Sequence, residues 1–387
     1  MNNLRRFCSL FISLPAPLAL LAVRSGAPAS PTKAYRAYVG TYTAKTNSKG
    51  IYEFDFDSTT GKMSAVQVAG KAKDPSWMAV HPNGKFLYSV NETGKASAVS
   101  AFAIEPKSGR LALLNQIPAL GEDPCHLSFD KTGKFLFVAN YTSGNVAVFP
   151  ILADGKLGER TALQQDRGEL GPNKERQEAP HAHFIAPSEH NRFVYVADLG
   201  LDRVLIYKFD SAKGTLAQIP ESSWATLKPG TGPRHVVFSK DGNYMYVVGE
   251  MASAVTVFAN ENQATFRAIQ TTPMLPAGFS GRNDAAEIEI HPSGKFLYAS
   301  NRGHDSMVVF AVDPTNGTLK QVDDVPTGGK EPRHFAIDPT GRFLLAENQL
   351  SDSIVEFRID PATGKLTPTG EALSVPSPVC IAFLPVQ

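Results

Sequence analysis

The 387-residue sequence lacks several features that would identify a class of protein at once. Only three cysteines are present, which argues against a disulfide framework and a cysteine-rich metal site. The 38 basic residues nearly balance the 37 acidic ones, so the charge gives no support for binding to nucleic acid or to an anionic membrane surface. After the N-terminal segment, no apolar run approaches the roughly 20 residues of a membrane-spanning helix, and no long stretch has the 3.6-residue period of a helix.

The first 29 residues have the layout of a signal peptide. Arg5 and Arg6 precede an apolar stretch at 7–23, and the small residues at 27–29 predict cleavage after Ala29. Two prolines inside the apolar stretch disfavour the alternative of an uncleaved anchor helix. We therefore expect the mature protein to be periplasmic or secreted and to be free of the membrane after cleavage.

The dominant feature of the remaining sequence is a phrase that occurs six times at a spacing of about fifty residues. The copies lie at 77–91, 126–140, 183–198, 235–250, 287–301 and 334–348. Each copy consists of two alternating apolar runs joined by a polar turn that contains glycine or asparagine, which predicts a β-hairpin. A third alternating run and a less regular fourth one follow, so each repeat is predicted to be a four-stranded propeller blade.

The two ends of the chain predict how the ring of blades closes. The folded part begins with runs that match strands two and three, at 35–43 and 50–57, and it ends with a lone first strand at 376–385. Pairing these strands gives a seventh blade and hides the sheet edges that an open array would expose. The sequence therefore predicts an all-β protein, a seven-bladed β-propeller with four antiparallel strands per blade, as one domain over residues 30–387.

The cysteines of the mature chain are predicted to be free and buried. Cys125 and Cys380 fall in first strands that are two blades apart, whereas a disulfide needs Cα atoms within about 7 Å.

Equivalent positions of the first strands should form rings, because these strands line the central channel. One position, seven residues before the turn glycine in a regular copy, holds mostly ring side chains. Its occupants are Trp77, His126, His183, His235, Glu287 and His334, with Cys380 in the closing blade. A histidine at this position could simply hydrogen-bond the backbone of the adjacent blade, so the ring alone supports a structural reading as well as a functional one.

The neighbouring positions break the repeat symmetry. His181 replaces a proline, arginine precedes the ring position in two copies only, and two charged residues follow neighbouring second strands. The sequence therefore predicts a pocket at one end of the channel formed by His181, Arg234, Glu250, Glu287, Arg302 and Arg333. Arginines bind carboxylate or phosphate groups and stabilise a developing oxyanion, while a histidine or a glutamate can act as a general base. We expect no metal, because the arginines would repel a cation.

The sequence resembles the seven-bladed β-propeller lactonase family, which includes bacterial propeller-type 6-phosphogluconolactonases and fungal carboxy-cis,cis-muconate cyclases. The resemblance covers nearly all of the mature chain. It rests on the motifs at 38–42 (YVGTY), 123–126 (DPCH), 180–183 (PHAH), 197–203 (ADLGLDR), 232–235 (GPRH), Glu250, 301–303 (NRG) and 331–334 (EPRH).

This resemblance implies an active site at the channel mouth that needs no cofactor. The histidine, two arginines and glutamate of the cyclase site match His181, Arg234, Arg302 and Glu250, to which we assign catalysis. We assign substrate contacts to residues in and beside the ring: His126, His183, His235, Glu287 and Arg333. The predicted export departs from the cytoplasmic location of the pentose-phosphate enzyme, which argues against 6-phosphogluconolactone as the physiological substrate.

Three functions remain open from the sequence. The first is hydrolysis of a sugar lactone by a monomer whose partner is a small lactone or carboxylate, with His181 or Glu250 activating water. The second is a lactonising cycloisomerase of a muconate-type dicarboxylate, which would use the same pocket. The third is a non-catalytic exported propeller that binds a ligand or a protein. The polar insert at 164–180 is a lid under the first two functions and a docking surface under the third.

Overall fold

The fold is a closed ring of seven antiparallel four-stranded sheets. The computed structural model describes residues 34–220 and 224–386, and the predicted signal peptide, residues 1–29, lies outside them. Within the described part the strands are joined by turns and two short 3-10 segments, Gly94–Ala96 and Gln349–Ser351, and there is no α-helix. The predicted all-β seven-bladed propeller is confirmed.

The blades are numbered by the order of their first strands, and each is described from the channel outward. Blade 1 contains β4 (Met78–Val80), β5 (Phe86–Asn91), β6 (Ala98–Ile104) and β7 (Leu111–Pro118). Blade 2 contains β8 (Pro124–Phe129), β9 (Phe135–Asn140), β10 (Asn145–Pro150) and β11 (Ala162–Gln165). Blade 3 contains β12 (Ala182–Pro187), β13 (Phe193–Asp198), β14 (Arg203–Asp210) and β15 (Thr215–Gln218), with β16 (Ala225–Thr226) also paired to β14.

The remaining four blades follow the same order. Blade 4 contains β17 (Pro233–Phe238), β18 (Tyr244–Gly249), β19 (Ala254–Asn260) and β20 (Phe266–Pro273). Blade 5 contains β21 (Asp284–Ile290), β22 (Phe296–Arg302), β23 (Ser306–Val312) and β24 (Leu319–Pro326). Blade 6 contains β25 (Pro332–Ile337), β26 (Phe343–Asn348), β27 (Ser353–Ile359) and β28 (Leu366–Ser374). Blade 7 contains β29 (Pro378–Pro385), β1 (Ala34–Thr41), β2 (Gly50–Asp57) and β3 (Gln67–Lys71).

Blade 7 closes the ring as the sequence predicts. The C-terminal strand β29 pairs with the N-terminal strand β1, with Val39 opposite Ile381. On its two sides β29 contacts the first strands of blade 6 and blade 1. The chain ends are therefore held by ladder hydrogen bonds, and no first strand is left without a neighbour on either side.

The hairpin turns explain the glycine that recurs in the repeat. Gly84 has φ +70°, and Asn191, which replaces this glycine in blade 3, has φ +58°. Asparagine is among the few residues with a side chain that tolerate this left-handed conformation. The same turn can therefore form in all six copies despite the change of residue.

Neighbouring blades are fastened by a repeated tyrosine in the second strand. The buried hydroxyl groups of Tyr88 and Tyr298 each donate to a glycine carbonyl in the outer turn of the next blade, at 2.7 Å. Tyr38 does the same across the closure, donating to the carbonyl of Gly109 at 2.8 Å. Each ring fills the apolar gap between sheets while its polar end remains satisfied.

A β-bulge at the start of the first strand positions the site. In six blades the register between the first and second strands shifts at this end, and the pairing skips one residue of the first strand, or two in blade 5. In blades 3, 4 and 6 the skipped residue is His183, Arg234 or Arg333 respectively. Bulges redirect side chains and are common beside active sites. Here they bring three side chains to the channel end where the second strands finish.

Both described cysteines are buried and free, as predicted. Cys125 directs its thiol at the backbone carbonyls of blade 3, and Cys380 directs its thiol at the carbonyl of Met78.

Candidate active site

A cavity of about 480 Å³ opens at the channel end where the first strands begin. Four of the predicted site residues line it: His183, Glu250, Arg302 and Arg333. Six further residues that the sequence analysis did not assign to the site also line it: Glu92, Cys125, Tyr141, Arg176, Arg282 and Asp284. The cavity therefore collects several of the positions at which the repeats differ.

Glu250 is the centre of the charge cluster. Its Oε2 atom lies 3.2 Å from Nε of Arg234 and 3.0 Å from Nη2 of Arg302. Its Oε1 atom accepts a short hydrogen bond from Nη2 of Arg176. Burial raises the pKa of Glu250, but the three arginines outweigh it and hold the pKa at about 2. Glu250 is thus a buried anion that three cations from different blades share.

Backbone carbonyls of blade 5 fix the two innermost arginines. Arg234 donates from Nη1 to the carbonyl of Ala286 at 2.8 Å. Arg302 donates to the carbonyls of Asp284 and Ala285, at 3.3 and 3.4 Å. Burial lowers the pKa of Arg234 to about 10, and the nearby charges of Arg302 and Arg333 contribute to this. The concentration of positive charge at this end of the channel is therefore held in place by the fold itself.

The insert at 164–180 delivers Arg176 to the cavity. The insert leads into strand β12 and is anchored by Gln177. This side chain is only 1% exposed and donates from Nε2 to the carbonyl of Leu199 at 2.9 Å. This anchor positions Arg176 so that it reaches Glu250, which is 74 residues away in the chain. The sequence left open whether the insert is a lid of the site or a docking surface. Because the insert contributes Arg176 to the cavity wall, the geometry favours a role in the site.

Asp284 supplies a second acidic group at the rim. It forms an ion pair with Arg282 at 2.6 Å and lies 3.5 Å from Nη1 of Arg176. Arg333 lies on another side of the cavity, with its guanidinium carbon 5.3 Å from the centre of the Tyr42 ring. The Tyr42 hydroxyl donates to Glu92 at 2.8 Å, so the acidic groups at the rim are tied to neighbouring side chains.

His181 is buried beside the cavity but is not one of its lining residues. Its ring stacks on Tyr141 with the centroids 4.5 Å apart. Nδ1 lies 3.1 Å from the carbonyl oxygen of Tyr141, and Nε2 lies 3.2 Å from a carboxylate oxygen of Glu178. Both ring nitrogens therefore face acceptors from the protein. This arrangement orients Tyr141 and the insert rather than presenting a free nitrogen to a ligand.

The other predicted residues form a closed layer deeper in the channel. His126, His235 and Glu287 are each less than 5% exposed, and the cavity wall does not include them. Nδ1 of His235 lies 2.9 Å from Glu287, and the indole of Trp77 contacts the ring of His235 with the centroids 5.1 Å apart. The ring predicted from the repeat therefore lies behind the cavity, but its predicted member in blade 3 is wrong. The residue of blade 3 that pairs just after the bulge is Phe184, at the position of His126 and His235 in their blades, and His183 takes the bulge position and lines the cavity.

Charge in this deeper layer is carried by glutamate and histidine. Burial raises the pKa of Glu287, but His235, His334 and Arg234 outweigh it and lower the pKa to about 2. Burial lowers the pKa of His334, but Glu347 and Glu287 outweigh it and raise the pKa to about 9. His334 lies 2.8 Å from Glu347 and 3.6 Å from Glu287, which makes it a buried imidazolium between two carboxylates. His235 has its pKa lowered to about 4 by burial, against the pull of Glu287, and stays neutral.

Asp284 and Arg176 line the cavity but were not predicted from the sequence, and they differ in how well the sequence indicates them. Asp284 lies three residues before the ring position, where the other copies have acidic, glycine or proline residues, so one more step along the repeat would have reached it. Arg176 lies in the insert, which has no counterpart in other blades. Only the length of the insert pointed to it.

Among the described residues no three histidine, cysteine, aspartate or glutamate side chains are grouped so that they could bind a metal ion. No helix in the described part of the chain has the length and apolar character needed to cross a membrane. A second cleft, of about 420 Å³, lies at the hairpin turns near Lys131 and Lys240. Its charged side chains are all exposed, whereas among the charged side chains of the cavity at the channel mouth only Arg282 is.

Comparison with protein families matches residues 36–383 to the family described as lactonase, 7-bladed beta-propeller. Among similar proteins is a 6-phosphogluconolactonase of Bacillus subtilis (strain 168), 38% identical over 351 residues, which are 90% of this chain and 98% of the relative. A protein of the same name from Formosa agariphila is 36% identical over 307 residues, which are 77% of this chain and 85% of the relative.

Solved structures show the same likeness. The periplasmic gluconolactonase of Pseudomonas aeruginosa superposes with a TM-score of 0.85 at 34% identity, covering 92% of this chain and 100% of the other. A putative 6-phosphogluconolactonase from Bacteroides fragilis superposes with a TM-score of 0.85 at 36% identity, covering 92% and 99%.

Proposed function

This chain belongs to the seven-bladed β-propeller lactonase family, and we propose that it hydrolyses the lactone of a sugar acid in the cavity at the channel mouth. The fixed arginine cluster around Glu250 is the single observation that carries this proposal. Ring opening passes through a tetrahedral oxyanion, and preorganised cationic donors stabilise such a charge best in a site sheltered from water.

The charge of the cavity favours a substrate with an anionic group. Three carboxylates line it, those of Glu92, Glu250 and Asp284. They face four lining guanidinium groups, those of Arg176, Arg282, Arg302 and Arg333, and the guanidinium group of Arg234 directly behind Glu250, which leaves an excess of two positive charges. We assign Arg302 and Arg333, which line the cavity, to the lactone carbonyl and the anionic substituent, and Arg234 to the support of Glu250 behind them. Planar guanidinium groups bind carboxylate and phosphate with two parallel hydrogen bonds.

Glu250 acts in this proposal as the anchor of the arginines. Both of its carboxylate oxygens already contact arginines, which compete with any proton that the carboxylate would take from water. His181 positions Tyr141 and the insert through its two ring nitrogens. The sequence-based assignment of water activation to either residue thus finds little support in their surroundings.

The substrate class follows from the cavity and the relatives together. The relatives named above are a 6-phosphogluconolactonase and a periplasmic gluconolactonase. We propose a gluconolactone-type substrate, with preference for a derivative bearing a carboxylate or phosphate. We further propose that the protein is a periplasmic or secreted monomer that needs no cofactor.

A lactonising cycloisomerase is the second candidate, and the excess of two positive charges is the observation that favours it. A muconate-type dicarboxylate carries two negative charges and would match the cavity in charge. The same arginines would then hold both carboxylates while a proton is moved at carbon.

The test is a panel of lactones and muconates offered to the purified mature protein, with proton release followed at constant pH. We expect hydrolysis of a gluconolactone-type lactone and a loss of at least about 100-fold in kcat/KM for Arg302→Gln, as for removal of an oxyanion donor. Arg267→Gln removes an exposed arginine that pairs with Glu261 and should leave turnover unchanged. Turnover of muconate alone would favour the second candidate, and equal activity of Arg302→Gln and the unmodified protein would reject both.

A further inference from the structure

His183 is the one histidine that lines the cavity at the channel mouth within the described chain. It is the residue skipped by the β-bulge of blade 3, and only 4% of it is exposed. Its Nδ1 atom has no hydrogen-bond partner. Unpaired polar atoms of this kind are rare in protein interiors and call for an explanation, of which a catalytic role is one.

The surroundings of His183 keep its ring neutral. Burial lowers the pKa of His183 well below its usual value, and the positive charges of Arg234 and Arg333, together with His235, lower it further. The edge of Tyr141 completes these surroundings, with its ring centroid 5.5 Å from that of His183. A neutral imidazole keeps one nitrogen lone pair, which is the property a general base needs.

The other lining groups are less suited to take a proton. Three arginines form ion pairs with Glu250, and Arg282 and Arg176 form ion pairs with Asp284. Burial raises the pKa of the Cys125 thiol, so it stays protonated. Glu92 is the remaining carboxylate, and it accepts a hydrogen bond from Tyr42. Of these groups, only His183 combines burial, neutrality and an unpaired nitrogen.

We propose that His183 is the general base that removes a proton from the attacking water, an assignment that rests on the proposed lactone hydrolysis. The imidazole takes one proton of water while the water oxygen bonds to the lactone carbonyl carbon, and the carbonyl electron pair moves onto oxygen beside the arginines. When that pair returns, the bond from this carbon to the ring oxygen breaks. The imidazolium then gives its proton to the ring oxygen, and the product is the open hydroxy acid.

The deeper layer of the channel supplies positioning residues for this base. The rings of His183 and His235 are in contact, with centroids 5.2 Å apart. His235 is fixed from behind by its hydrogen bond to Glu287 at 2.9 Å. His235 and Glu287 therefore act on the reaction through His183, without touching the substrate themselves.

The same arginines that bind the anion also control the base. In the free protein their charge opposes protonation of His183, whereas a bound anionic lactone neutralises part of that charge. Binding of an anionic substrate should therefore make His183 more basic at the moment it is needed. A neutral lactone would leave the base weak, which gives a chemical reason for preferring anionic lactones that does not depend on binding strength.

The first experiment compares His183→Gln with the unmodified mature protein, using glucono-δ-lactone and glucaro-1,4-lactone, whose carboxylate stays ionised above about pH 5. We expect kcat to fall by at least about 100-fold, as for loss of a general base. KM and the affinity for the open glucarate product should change by less than about threefold, since a base adds little ground-state binding. His291→Gln is the matched control, because it removes a buried histidine at the far end of a first strand, where it bonds Gly341.

The second experiment records pH profiles of the unmodified protein. With glucaro-1,4-lactone the acid limb of kcat should lie at higher pH than the acid limb of kcat/KM, because kcat reports the complex and kcat/KM the free protein. With the neutral lactone the two limbs should coincide.

Three outcomes would overturn the assignment. One is a His183→Gln variant whose kcat stays within about tenfold of the unmodified protein with the same acid limb. Another is a parallel loss of kcat and of glucarate binding, which would make His183 a binding residue. Absence of turnover by the unmodified protein on every lactone would remove the proposed function and this assignment with it. By contrast, turnover that survives in His183→Gln leaves the lactonase function standing.

Discussion

Two buried glutamates in adjacent layers of one channel carry similar charge and differ in access. Glu250 and Glu287 both have pKa values of about 2, because cations around each outweigh the cost of burial. The partners of Glu250 are arginines and those of Glu287 are histidines. Arg234 and His235, which are consecutive residues, contact one glutamate each, so the two layers are separated by a single step along the first strand.

The cavity makes the difference between the layers. Glu250 and Arg302 line it, whereas Glu287 is enclosed by His235 and His334, and the rings of both histidines contact the indole of Trp77. A buried ion cluster is therefore not by itself evidence of a site. In our account the layer around Glu250, the upper layer, binds the substrate and polarises its carbonyl group. The deeper layer around Glu287, the lower layer, stabilises the ring of blades and holds His183 in place.

The largest expected effect is that of Glu250→Gln on turnover. Removing the carboxylate leaves three arginines without a common anchor, so their geometry and mutual repulsion both change. We expect kcat/KM to fall by about 1,000-fold, equivalent to about 4 kcal/mol of transition-state stabilisation. Steady-state kinetics with a gluconolactone measures this. A drop of less than about tenfold would contradict the role given to the upper layer.

The matching change in the lower layer is Glu287→Gln, which should act mainly on stability. It leaves His334 paired only with Glu347 and removes the negative charge that His235 faces. Breaking a buried pair on one side costs about 3 kcal/mol of unfolding free energy, measurable by denaturant titration. Turnover per folded molecule should fall by only about tenfold, as for a residue that acts on the site through another. If the free energy of unfolding were unchanged, the layer would not be the structural centre described here.

The pH dependence of stability should also arise from the lower layer. The pKa of His334 is about 9 in the folded protein and near 6.5 when unfolded, so its stabilising charge is complete below pH 6.5 and is lost as pH rises through 9. We expect the free energy of unfolding to fall by about 3 kcal/mol across that window. In His334→Gln this slope should disappear, and a slope that persists would assign the effect to another group.

The smallest expected effect is that of Arg176→Met in the upper layer. The arginine is partly exposed, so its contribution is screened by solvent. We expect KM for an anionic lactone to rise by about tenfold, with kcat changed by less than about threefold, as for loss of uniform binding. Lys174→Met, an exposed residue of the same insert, is the control. An unchanged KM would contradict a role of the insert in substrate binding and would favour the docking surface that the sequence left open.

The repeat predicts the fold because every blade uses the same hairpin, turn and channel position. The blade count, the closure of β29 on β1 and the free cysteines all follow from it. The charged members of the site follow from the positions at which copies differ, which is why Glu250, Arg302 and Arg333 were found.

The repeat does not predict how deep each side chain lies in the channel or how far a loop reaches into the cavity. Counting along the repeat placed His183 in the ring, whereas the strand pairing leaves it at the bulge, in the position that Arg234 and Arg333 occupy in their blades. Likewise Arg176 meets Glu250 only because a buried Gln177 anchors a loop without a counterpart in other blades. The engaged nitrogens of His181 depend on a stack with Tyr141 from blade 2, which no motif records.

The most direct test of the account is a crystal structure of the mature protein soaked with glucarate, the open product of the lactone used above. The account predicts the product in the cavity at the channel mouth, with its carboxylate bonded to Arg302 or Arg333 and His183 within hydrogen-bond reach of the newly formed carboxyl group. Glucarate bound instead at the cleft near Lys131 and Lys240, with the cavity unchanged in an active protein, would contradict it.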